Sequence, residues 1–164
     1  MSSLRIASRI AVVALLLAVP TWPVLAQNAA GYWTMDDILG AESAGSFDIS
    51  PDGRYVVWTK SQLDREKGRR YANLWVTRVE DGESWALTQG KDSFGSPRFS
   101  PDGRLIAFTS SREVPDRSPD ASGSQLWVLR MAGGEAWALT TTARGLRQFE
   151  WKGESSDTIV FTAQ

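Results

Sequence analysis

Ser50-Pro51-Asp52-Gly53-Arg54 returns as Ser100-Pro101-Asp102-Gly103-Arg104, 50 residues later. In each copy Pro presets φ, Asp bonds its own backbone, and Gly takes the positive φ that a tight reversal requires. Leu74-Trp75-Val76 returns as Leu126-Trp127-Val128, and Trp85-Ala86-Leu87-Thr88 as Trp137-Ala138-Leu139-Thr140, both 52 residues on. Three landmarks in one order at near-constant spacing define a repeat, and the repeat decides the fold.

Each unit reads as four short strands. The first covers Gly45–Ile49 and Ser96–Phe99, and leads into the Pro-Asp-Gly turn. The second alternates, placing Val56 and Trp58, then Ile106 and Phe108, on one face. Leu74–Val76 and Leu126–Val128 form the third, Trp85–Leu87 and Trp137–Leu139 the fourth. Glu80-Asp81-Gly82-Glu83 and Ala132-Gly133-Gly134-Glu135 supply the turns between them. A four-strand unit repeated at this period predicts an all-β chain of propeller blades. The 8 Trp, 6 Phe and 3 Tyr then have a structural role: Trp75, Trp127, Trp85 and Trp137 are expected to fill the space between blades. Asp52 and Asp102 are read as turn residues, since no second carboxylate stands at cation-loop spacing.

A third unit begins with Gln148-Phe149-Glu150-Trp151 and continues with Thr158–Thr162, but its turn, Lys152 to Asp157, lacks Pro-Asp-Gly. The divisions are a leader over 27–44, blade one over 45–95, blade two over 96–145 and the start of blade three over 146–164. Closed propellers need about 4–8 blades. The expectation is therefore a partial β-propeller belonging to a longer, truncated protein. Completion by association with other chains is the alternative, because an open stack exposes Trp-rich faces and strand edges.

Before the repeat, Arg5 and Arg9 precede the apolar run Ile10–Val19, then Pro20, Pro23 and Val24-Leu25-Ala26. That order is a secretory signal peptide over residues 1–26. A membrane anchor fits less well: the apolar run rises about 15 Å as a helix against a hydrocarbon core of about 30 Å. The expected mature protein is exported, periplasmic or secreted, with no membrane span after cleavage. In the leader, Thr34 and Asp37 make a capping-box variant, predicting a short helix over Met35–Leu39 that stops at Gly40 and packs its apolar side on the propeller. Ser61–Ala72 and Ser111–Ser124, rich in mixed charge, read as exposed loops able to line a binding surface.

Composition narrows the chemistry. The chain has no His and no Cys, so it assembles neither a Ser-His-Asp nor a Cys-His unit, nor a thiolate metal site or disulfide. A formal net charge of −1 argues against nucleic-acid binding. No Gly-rich phosphate loop, H-E-x-x-H or G-x-S-x-G occurs. No catalytic, metal or cofactor-binding residue is assigned, no cofactor is expected, and the substrate-binding residues are left unassigned.

The leader Trp33-Thr34-Met35-Asp36-Asp37-Ile38-Leu39 stands directly before Phe47-Asp48-Ile49-Ser50-Pro51-Asp52-Gly53-Arg54. Asn73-Leu74-Trp75 and Ala86-Leu87-Thr88 follow, and blade two closes with Gly133-Gly134-Glu135-Ala136 and Leu139-Thr140. Over residues 33–164 this resembles the amino-terminal part of the propeller in the prolyl oligopeptidase family of serine peptidases, especially its acylaminoacyl-peptidase and dipeptidyl-peptidase branches. The resemblance implies a propeller that gates and filters oligopeptide substrates for a downstream α/β-hydrolase domain carrying Ser, Asp and His. None of that domain's motifs matches a position here. The implied partners are the remainder of the propeller and that hydrolase domain. The Ser-Pro-Asp-Gly motif is shared with the Tol-system translocation protein, so a non-enzymatic periplasmic propeller binding a protein or glycan is the competing reading. A self-associating half-propeller is a third.

Overall fold

The computed structural model describes residues 34–114 and 122–163. The expected signal peptide over 1–26 and the rest of the leader up to residue 33 lie outside them, as do residues 115–121 of the second charged loop.

The Thr34 hydroxyl accepts from Asp37 N at 3.1 Å, and the Asp37 carboxylate accepts from Thr34 N at 2.9 Å. This capping box opens α1, Met35–Gly40. The expected packing of its apolar side does not occur. Met35 is 70% exposed, and Ile38 and Leu39 are exposed too. Arg65 Nη1 reaches Asp36 at 3.3 Å, and nothing apolar covers the helix among the described residues.

Blade one follows as β1 (Ser43–Ile49), β2 (Tyr55–Asp64), β3 (Arg69–Arg78) and β4 (Ser84–Ala86). Blade two is β5 (Phe94–Phe99), β6 (Leu105–Ser110), β7 (Gln125–Arg130) and β8 (Trp137–Ala138). Each is an antiparallel sheet with strands in sequence order. A two-stranded piece, β9 (Leu146–Trp151) with β10 (Ile159–Ala163), begins a third. Apart from α1, every regular element among the described residues is a strand, and together they make a partial β-propeller with no closed barrel.

The repeat extends into the details. Gly53 and Gly103 both stand at φ +71°, where a side chain would be strained. Register breaks between Ala44 and Phe47 and again between Gly95 and Arg98. At this bulge the glycine is required by a close approach as well. A Cβ on Gly45 would meet Thr59 Oγ1 at 2.5 Å, and one on Gly95 would meet Thr109 Oγ1 at 3.3 Å.

Register also settles which face points where, because directly paired residues share a face. Val57 pairs with Val76, and Trp58 with Trp75. The Val57/Val76 face, with Leu74, packs against Phe99, Ile106, Phe108, Trp127 and Leu129 of blade two. Blade two's other face, Ala107, Leu126 and Val128, packs against Leu146 and Phe149 of the third unit. Each blade therefore meets its successor with the same face.

Candidate functional site

Asp52 and Asp102 are positioned by their own turns. Ser50 Oγ donates to Asp52 Oδ1 at 2.6 Å, Arg54 N donates to the same oxygen at 3.0 Å, and Tyr55 N donates to Ser50 Oγ at 2.9 Å. Ser100, Asp102, Arg104 and Leu105 repeat the set at 2.6, 3.0 and 2.9 Å. The serine hydroxyl bond, then the backbone donor, hold both carboxyls below their ordinary range. These oxygens are committed to the turn, in keeping with the turn reading. Among the described residues no group of three or more acidic, His or Cys side chains is placed to hold a metal ion.

A second repeated polar unit carries a signal in the sequence that went unused. Leu74 N donates to Thr88 Oγ1 at 2.9 Å, Thr88 Oγ1 donates to Asn73 Oδ1 at 3.3 Å, and Asn73 Nδ2 donates to Gly90 O at 3.2 Å. In blade two Leu126 N, Thr140 and Gln125 do the same at 2.9 and 2.9 Å, and Gln125 also clasps Thr142 N and O at 2.9 and 3.0 Å. The pairing of Asn73 or Gln125 with Thr88 or Thr140 ties the chain leaving each outer strand back to the third strand. An amide residue immediately before each Leu-Trp-Val, with Thr 15 residues on, was legible.

The charged segment Ser61–Ala72 is a correction to the loop expected there. β2 and β3 run on to pair Ser61 with Ala72 and Asp64 with Arg69, leaving only a turn between Arg65 and Gly68. Ladder pairing with the neighbouring strand, without apolar alternation, suffices for a strand at a sheet's exposed end. At its tip Asp64 is buried. Burial raises its pKa, but Lys67 N, Lys91 and Glu66 N outweigh that and hold the carboxyl below its ordinary range. Lys91 Nζ bridges Glu66 at 3.0 Å and Asp64 at 3.4 Å, and both bonds raise its pKa, Glu66 the more. This is a hairpin pinned by Lys91, although the buried Asp64 Oδ2 accepts no hydrogen bond.

The four Trp residues divide. Trp127 is buried between the first two blades, and Trp85 packs against the same core. Trp137 lies on the face toward the third unit and lines a groove with Trp151, Ile159 and Phe161. Trp75 lies on the opposite face of blade one, beside Trp58 at 6.1 Å, with Lys60 Nζ 4.7 Å above its ring. Around them Phe47 is 63% and Ile49 54% exposed. Their counterparts 50 residues on, Pro97 and Phe99, are buried against blade one. Phe47, Ile49, Val56, Trp58 and Trp75 thus form the apolar face by which a blade meets its predecessor, and no blade covers it among the described residues.

No family model matches the chain. It is 33% identical over 127 residues to the "Uncharacterized peptidase YuxL" of Bacillus subtilis (strain 168), a match spanning 77% of this chain and 18% of that protein. A TolB-like structure from Agrobacterium tumefaciens superposes with TM-score 0.53 and 27% identity, covering 73% of this chain and 38% of that one. The acylaminoacyl peptidase of Pyrococcus horikoshii superposes with TM-score 0.54 and 19% identity over 73% of this chain and 17% of its own, a likeness of fold. By sequence the chain is similar to a peptidase over most of its length, and by fold it is a stretch of β-propeller like that of an acylaminoacyl peptidase.

Proposed function

We propose that this chain is the first part of the propeller of an exported serine peptidase, where it gates and filters oligopeptides for a downstream α/β-hydrolase domain. The observation that carries the reading is the 33% identity to a peptidase over most of the chain. Two features support it. The unpartnered Phe47/Trp58/Trp75 face calls for a further blade on the near side of blade one. On this reading the Ser-His-Asp chemistry belongs to residues elsewhere in the parent, since this chain has no His. Export rests on the order of residues 1–26.

The 27% identity to the TolB-like structure favours a second reading, a non-enzymatic periplasmic propeller that binds a protein or glycan. Extending the coding sequence past Gln164 separates the two. The peptidase reading expects more blades, then a G-x-S-x-G elbow, an Asp and a His, in that order. The parent protein, recovered from the periplasm or medium, is expected to take a serine-reactive fluorophosphonate label. A continuation that closes the ring without the elbow overturns the peptidase reading.

A further inference from the structure

The third unit repeats the inner half of blade two. Trp151 stands 52 residues after Phe99 and pairs with Ile159 as Phe99 pairs with Ile106. Phe161, two residues beyond Ile159, therefore takes the place of Phe108. Their surroundings differ. Phe108 is fully buried, whereas Phe161 is 40% exposed.

The neighbour that Phe108 has and Phe161 lacks is a third strand. On β7, Trp127 pairs with Phe108 and Leu129 with Ile106, and all four lie in the core against blade one. Blade one carries the same cross-strand pair of rings, Trp58 with Trp75. Among the described residues β10 pairs with β9 alone, so its other edge keeps unpaired backbone donors and acceptors.

Beside that edge runs a groove of about 360 Å³. Ile159 and Phe161 form one wall, and Leu126, Val128, Trp137 and Leu139 of blade two form the floor. The counterparts of the floor in blade one are Leu74, Val76, Trp85 and Leu87, which pack against the core that holds Trp127 and Leu129. In the second copy Leu139 is left 48% exposed. One apolar floor thus has a strand across it, and the other is open.

An open strand edge beside an apolar groove takes an extended segment by strand addition, with the ladder giving affinity and alternate side chains giving specificity. We propose that this groove binds an extended segment that pairs antiparallel with β10. It places a tryptophan opposite Phe161 and an aliphatic side chain opposite Ile159. Direction and register are those of β7 on β6. The segment continues the interface that Leu146 and Phe149 already make with blade two. The proposal does not depend on the peptidase reading, since any stack of these blades presents the groove and the test reads no hydrolysis.

The probe is acetyl-Gln-Leu-Trp-Val-Leu-Arg-amide, the sequence of β7, added to the ¹⁵N-labelled chain. Amide resonances of Ile159–Ala163 are expected to shift, and their hydrogen exchange to slow by about tenfold or more at saturation. Replacing the peptide's tryptophan by serine, or Phe161→Ser in the chain, is expected to weaken binding about tenfold, the scale of one lost aromatic contact. Val160→Ser, on the other face of β10 with Glu150, is expected to leave binding unchanged. Thermal melts check that the variants fold, and the serine peptide probes the same contact on the unaltered chain. Equal binding of the two peptides, no protection in β10, or shifts confined to the Phe47/Trp58 face overturns the proposal. Protection of β10 without peptide, rising with chain concentration, also overturns it, since a second copy then fills the groove.

Discussion

Thr140 is a small residue with a large share of the local hydrogen bonding. It accepts from Leu126 N and donates to Gln125, whose amide is fully buried. Thr140→Val keeps the shape but strands the buried Leu126 N–H, while Gln125 Oε1 keeps its bond from Thr142 N. The expected loss is about 1–3 kcal/mol in urea unfolding, with a similar sign for Thr88→Val in blade one. An unchanged midpoint would remove the tie from the account of blade stability. The turn aspartates give a pH dependence of definite sign. Their folded pKa values lie below the ordinary range, first because of the Ser50 and Ser100 hydroxyls. Their stabilisation is present above the unfolded carboxylate pKa of about 3.9 and is lost as pH falls through the folded value. Urea midpoints should accordingly drop on acidification below about pH 4, and Asp102→Asn should make that drop shallower. A steeper drop in the variant would contradict the assignment.

The same side-chain chemistry has opposite consequences on different elements. Phe108 on β6 is fully buried between blades, whereas Phe47 on β1 is largely exposed. Phe108→Ala is expected to cost about 3–5 kcal/mol in this chain. Phe47→Ala is expected to stay within about 0.5 kcal/mol, as for surface sites. Equal effects would mean that the Phe47 face is covered in solution, which the self-associating reading requires. At this scale the strands were legible from alternation and from the Pro-Asp-Gly turns. The β2–β3 extension was not, because mixed charge at a sheet's solvent end resembles a loop in composition. What makes it a strand is ladder pairing out to Asp64 and Arg69 and the Lys91 bridge beneath it. The helix α1 shows the reverse case. Its capping box was readable, since it is local, but the exposure of Met35 and Ile38 depends on what lies beside it.

For the whole molecule, two blades and a hairpin stack with one polarity, each presenting the Val57-type face forward and the Trp58-type face backward. Stacking of that kind leaves a first blade open on its Trp58 face. A ring-closing blade would bury Phe47 and Ile49 there as blade one buries Pro97 and Phe99. The chain alone is expected to hydrolyse neither peptide esters nor amides, because it has no His to complete a Ser-His unit. Turnover or fluorophosphonate labelling of the purified chain would contradict that.

The amino-acid sequence by itself determined the repeat, the strand order within each blade and the turns, because periodicity and turn chemistry act over a few residues. It also excluded a Ser-His-Asp or Cys-His unit built from this chain, since that follows from residue types alone. Only the tertiary structure decided which face of each strand meets which neighbour. Trp75 and Trp127 occupy the same place in the repeat, yet one lies on an open face and the other in a core. Burial is a property of surfaces brought together from residues about 50 apart, and matching local sequences such as Leu74-Trp75-Val76 and Leu126-Trp127-Val128 cannot distinguish it.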